Sequence, residues 1–140
     1  MLLTLDRGNT TLDVMLHGAG GWRRRLSPTS SVAASLGGAK PTRCIGVTVV
    51  HGGLDGAAAE LALQQVSLQL VGRDVSCPLP LDYDTTATLG ADRWIGALAA
   101  HRRFGRAVVI DCGSATTVNL VEAEPAEGGE AASSSPVPSK

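Results

Sequence analysis

Apolar positions open the chain in two short runs, Leu2 to Asp6 and Thr11 to Leu16, which predict two strands joined by a polar turn. Trp22 to Leu26 predicts a third after the glycine-rich break His17 to Gly21. Its three arginines, Arg23, Arg24 and Arg25, alternate between faces on a strand, which suits a solvated edge better than a common phosphate contact. Residues 28–42 are rich in Ser, Ala, Gly and Pro, with one short helix expected over 32–36 and no assigned role. Cys44 to Val50 reads as a central strand broken by Gly52-Gly53. Asp55 is expected to cap a helix from Gly56 to about Val71, with Ala59, Leu63, Val66 and Leu70 as its buried stripe. Asp74 to Cys77 then predicts a short strand stopped by Pro78 and Pro80. A further helix is expected from Asp92 to about Phe104, closed by Gly105, and then a hairpin ending at Val121. Strand, helix, strand in this order predicts an α/β fold with a parallel pair inside a mixed sheet.

Two of the apolar runs end in the same phrase. Leu3-Thr4-Leu5-Asp6-Arg7-Gly8-Asn9-Thr10-Thr11 and Val108-Val109-Ile110-Asp111-Cys112-Gly113-Ser114-Ala115-Thr116-Thr117 each carry an Asp, then a Gly, then hydroxyl or amide side chains. Such a turn can offer backbone N–H groups and hydroxyls to an oxyanion, while its carboxylate can hold a cation that neutralises phosphate. One copy is ordinary turn chemistry. Two copies suggest two jaws around a polyphosphate. Between them lies Gly90-Ala91-Asp92-Arg93, whose Asp on spacing alone reads equally as a helix N-terminal carboxylate.

Asp6 to Thr10, Tyr83, Gly90 to Arg93 and Asp111 to Thr117 together resemble the ordered signatures of type III pantothenate kinases, members of the actin-like and sugar-kinase ATPase superfamily. That resemblance implies a ribonuclease-H-like first domain over 1–105, the opening hairpin of an incomplete second domain over 106–121, and a tail over 122–140. It implies ATP-dependent phosphorylation of pantothenate to 4'-phosphopantothenate at the entry to coenzyme A synthesis. Asp92 would be the general base. Tyr83, Gly90, Ala91, Asp92 and Arg93 would line the pantothenate site, with Arg93 on the carboxylate. Asp6, Arg7, Gly8, Asn9, Thr10, Thr11, Leu12, Asp13, Gly113 and Ser114 would bind ATP and its phosphates. Asp6 would organise a divalent cation, Mg²⁺, and Asp111 a monovalent one, K⁺ or NH₄⁺. A homodimer is implied for the full-length family. A noncatalytic nucleotide-binding or regulatory protein on the same scaffold is the alternative.

The chain departs from the family pattern at several places. Arg7 replaces an apolar residue, Asp13 adds a negative charge at the end of the first ATP segment, Ser114 replaces a threonine, and Thr85-Thr86 stand where a proline-containing approach is usual. His17, His51 and His101 show no metal-ligand spacing, and His101 reads as a solvated residue at a helix end.

Composition narrows the setting. Of 140 residues 44% are hydrophobic but only 3% aromatic, so the core must be built from Ala, Val and Leu. A net charge of −1 argues against nucleic acid or an anionic membrane as partner. Cys44, Cys77 and Cys112 form no metal spacing and cannot all pair, and no signal or spanning segment opens the chain, so a cytoplasmic address is expected. After Val121 the sequence turns acidic and then Ser/Pro-rich, which predicts a disordered tail. The expectation is a truncated or frame-disrupted family member, or a fragment, with reduced activity and an apolar hairpin face left open.

Overall fold

The computed structural model describes residues 1–27, 31–85 and 88–123. Pro28, Thr86 and the expected disordered tail from 124 onward lie outside the described residues.

Five strands form one mixed sheet: β1 (Leu2–Arg7), β2 (Leu12–His17), β3 (Arg23–Leu26), β4 (Arg43–Thr48) and β5 (Leu68–Leu70), in the order β3-β2-β1-β4-β5. β1 runs antiparallel to β2 and parallel to β4, and β4 runs parallel to β5. Alternation decides which residues serve the core. Leu3 and Leu5 of β1, Val14 and Leu16 of β2 and Cys44 of β4 turn to one face, where they meet Leu54, Leu61 and Val66. The interleaved Thr4, Asp6, Asp13, Met15, Ile45 and Val47 fall to the opposite face and line a groove there. Gly46 lets the core close, because a Cβ there would lie 2.7 Å from Leu54 Cδ1 and 3.1 Å from Leu68 Cδ1.

A helical turn, α1 (Val32–Ser35), supplies the role left unassigned to this segment: Val32 and Leu36 seal the core. Ser31 Oγ accepts from the Ala34 N–H at 3.1 Å. Glu60, from the neighbouring helix α2 (Asp55–Leu63), accepts from Ser31 Oγ at 2.8 Å and from the Ala33 N–H at 3.1 Å. These donors hold the Glu60 carboxyl below its ordinary value.

The expected long second helix is corrected. α2 stops at Leu63, and Gln65 adopts a left-handed φ of 61°. The Gln65 N–H donates to Ala62 O and the Val66 N–H to Leu61 O, a Schellman closure with buried Leu61 and Val66 in the flanking apolar positions. Leu63 is consequently 89% exposed, and Leu70 belongs to β5 instead of a helical stripe. Asp55 is the first residue of α2, after Leu54 at the cap position. Residues 74–77 form no strand. Asp74 instead closes a turn by accepting from the Leu70 N–H at 2.7 Å and from Arg73, which holds its carboxyl down at about 2. β4 ends at Thr48 because the Thr48 hydroxyl accepts from the Val50 N–H and donates to Val50 O.

The rest of the described chain forms α3 (Ala91–Phe104) and a two-stranded antiparallel sheet, β6 (Ala107–Cys112) with β7 (Thr116–Val121). Gly105, with φ of 71°, ends α3 as its position implied. Ala107, Val109 and Asp111 share one face of the hairpin with Thr117, Asn119 and Val121. The other face carries Val108, Ile110, Val118 and Leu120, all between 59% and 71% exposed. Among the described residues no helix is long and apolar enough to cross a membrane.

Candidate active site

Asp6 is the last β1 residue on the face opposite the core, and two other acids act on it. Its carboxyl is pushed above its ordinary value, first by desolvation and then by the negative charges of Asp92 and Asp111. Three carboxylates from β1, α3 and β6 therefore share one electrostatic neighbourhood. Among the described residues they form no closed cage of three or more metal-type ligands.

Asp13 stands directly across β2 from Asp6, a like-charge pair that would be unfavourable if left alone. It is answered by Arg25 of β3, whose guanidinium pairs with the Asp13 carboxylate. The departure at Asp13 thus carries its own counter-charge. Arg25, Asp6 and Asp13 lie along one groove of about 390 Å³ floored by Ile45, Val47 and Ile95. Arg23 and Arg24 sit exposed on the edge strand, and Arg24 donates to Leu36 O at 3.2 Å.

The first turn differs from its expected construction. Gly8 does not use the left-handed region, and a Cβ there would meet nothing closer than Thr11 Oγ1 at 3.8 Å. The fold itself leaves room at Gly8 without requiring glycine. Arg7 is the last residue of β1, paired with Leu12 and Thr48, and its carbonyl accepts from the Val49 N–H. Asn9, Thr10 and Thr11 make the exposed link to β2, while Leu12 packs against the core. In the second turn the Gly113 N–H donates to Ala115 O, so this amide is engaged within the turn. Ser114 is exposed beside it.

Asp92 lies in the first turn of α3, whose cap position is held by Gly90 without a side-chain cap bond. Gly90 leaves room for the Asp92 carboxylate: a Cβ would sit 2.4 Å from Asp92 Oδ1 and displace it, whereas the φ of −57° suits any residue. One position on, the helix turns Arg93 into a separate cleft of about 550 Å³, with Tyr83, Trp94, Ala97 and His101 on its wall. Arg93 Nη1 donates toward Tyr83 Oη at 3.5 Å, and Cζ lies 5.5 Å from the Tyr83 ring centroid. Nε and Nη2 donate to Asn119 Oδ1 at 2.9 and 2.5 Å.

Asn119 was not among the expected site residues. His101 is corrected as well: it is half-buried along the cleft, and its Nδ1 is enclosed with no hydrogen-bond partner among the described residues. Thr117, opposite Asp111 in the hairpin register, likewise has an enclosed Oγ1 with no partner among the described residues. Cys44 is fully buried and its thiol is pushed up to about 12, which removes it as a nucleophile.

Comparison with known proteins gives a consistent picture. The family model described as type III pantothenate kinase matches residues 2–131, past the point near 121 where the resemblance was expected to stop. A type III pantothenate kinase of Nocardia farcinica (strain IFM 10152) is 34% identical over 145 residues, covering 89% of this chain and 54% of that protein. One from Acidiphilium cryptum (strain JF-5) is 32% identical over 139 residues, covering 86% and 52%. One from Desulfovibrio desulfuricans is 37% identical over 91 residues, covering 61% and 34%. The chain spans about half the length of the first and second of these relatives.

Proposed function

The chain belongs to the type III pantothenate kinase family, and from that premise we propose that its acids and cleft serve ATP-dependent phosphorylation of pantothenate to 4'-phosphopantothenate. The observation that carries this reading is the convergence of Asp92 and Asp111 on Asp6, beside a cleft into which α3 projects Arg93. Two acids that raise the proton affinity of a third are costly to a fold and useful to a phosphoryl-transfer site.

Arg93 binds the pantothenate carboxylate, with Tyr83 against the guanidinium face. Asp92 accepts the proton of the primary hydroxyl as its oxygen forms a bond to the γ-phosphorus. The bond from that phosphorus to the β,γ-bridging oxygen breaks, and ADP leaves. Asn9, Thr10 and Thr11 offer donors to the phosphate oxygens.

The donor set suits cations. Asp6 would hold Mg²⁺ jointly with phosphate oxygens, the arrangement this ion favours over an all-protein cage. Asp111 and the Thr117 hydroxyl, which has no partner among the described residues, are an oxygen pair suited to K⁺ or NH₄⁺. When bound, these ions supply neutralisation of carboxylate and phosphate charge.

The test is a coupled assay of ATP consumption with and without pantothenate, on the wild type and on Asp92→Asn. Pantothenate-dependent turnover that falls by about 10²–10⁴-fold in the variant supports the reading. ATP binding with no pantothenate-dependent turnover overturns it in favour of a noncatalytic nucleotide-binding protein.

A further inference from the structure

We propose that Asn119 is the positioning residue for Arg93, and that its being a neutral amide sets the site's selectivity for a carboxylate-bearing substrate. This inference rests on the reading of Arg93 as the carboxylate-binding group.

Register brings the residue to the site: Asn119 pairs with Val109, on the hairpin face shared with Asp111 and Thr117. Its Oδ1 accepts from both Nε and Nη2 of Arg93, and Val118 O accepts from Nη2 at 3.4 Å. An arginine side chain has only donors, so the amide oxygen must be the atom that faces it. One edge of the planar guanidinium is therefore fixed against β7, and the Nη1 corner is left beside Tyr83 and the cleft.

The chemistry of the acceptor matters as much as its place. A carboxylate at position 119 would accept the same two hydrogen bonds, but as an ion pair that cancels the guanidinium charge. The amide fixes the fork without spending its charge. Arg93 is thus oriented while keeping a full positive charge for an incoming anion, and the preference for a charged over a neutral ligand follows from that charge.

The experiment compares the wild-type chain with N119D and N119A. Isothermal titration measures affinity for pantothenate and for the neutral analogue in which a primary alcohol replaces the carboxylate. N119D, isosteric with the wild type, is expected to weaken pantothenate by about tenfold or more and to leave the neutral analogue within about twofold. Equal pantothenate affinity in wild type and N119D overturns the proposal.

A second readout is independent of substrate. In ¹⁵N NMR the Arg93 Nε–H should be protected from exchange in the wild type and in N119D, and exposed in N119A. Unchanged protection in N119A overturns the positioning role. A wild type that binds neither ligand overturns the substrate reading, and with it the selectivity claim, while the Nε–H signal still decides the positioning role.

Discussion

Asp92, in the first turn of α3, raises the pKa of Asp6, at the end of β1. Partial desolvation of the carboxyl acts more strongly in the same direction and the charge of Asp111 adds to it, so three causes favour the protonated form. The folded state consequently holds this proton more tightly than the unfolded chain, whose Asp titrates near 3.8.

The sign of the pH dependence follows. Stability contributed by this group is highest below 3.8 and is lost as pH rises through the elevated folded value. Asp6→Asn should remove that loss, so the variant is the more stable protein at neutral pH when no ligand is present. On the proposed role of Asp6 as the Mg²⁺ ligand, magnesium with ATP should stabilise the wild type and not this variant. Urea denaturation across the acid range, with and without Mg²⁺ and ATP, reads both effects. Parallel pH profiles for the two proteins would refute the electrostatic account.

Gly90→Ala separates geometry from folding. The backbone at Gly90 accommodates alanine, but the new methyl collides with Asp92 Oδ1 and must displace the carboxylate. Turnover should fall by about 10²-fold, with stability within about 0.5 kcal/mol of wild type. Full activity in this variant would show that the Asp92 carboxylate need not occupy its observed position.

Gln65 is the one non-glycine residue with positive φ among the described residues, and it closes α2. Gln65→Gly removes the Cβ penalty of the left-handed region at the cost of a freer unfolded chain. A net gain of about 0.5–1 kcal/mol is expected, read as a higher melting temperature. An unchanged or lower value would mean that the glutamine side chain makes compensating contacts.

The same residue explains where sequence reasoning failed. The turn residues flanking β1 and β2 made those strands legible, and a terminal glycine located the end of α3. α2 offered no such mark, because its Schellman closure uses Gln65 where glycine is usual, so helical periodicity was carried through Val66 into β5. Asp74 misled in the opposite direction: its carboxylate closes a turn through the Leu70 N–H, which no local pattern announces. Asp6, Asp92 and Asp111 stood out through duplicated or distinctive short phrases, but the effect of the latter two on Asp6 depends on where the fold places α3 and the hairpin. Asn119 left a fainter signal. It is a polar residue on the same parity as Val121 in a strand whose other parity, Val118 and Leu120, is apolar, and its acceptor role emerges only with Arg93 in place.

The near-neutral total of this molecule conceals a polarised object. Within a net charge of −1 lie an acidic focus around Asp6, Asp92 and Asp111 and two exposed arginines, Arg23 and Arg24, on the edge strand β3. An approaching small ion responds to whichever region lies within a Debye length, about 8 Å at physiological ionic strength. Cations are drawn to the focus and anions to Arg23 and Arg24, so diffusional encounter is biased by sign before any contact is made.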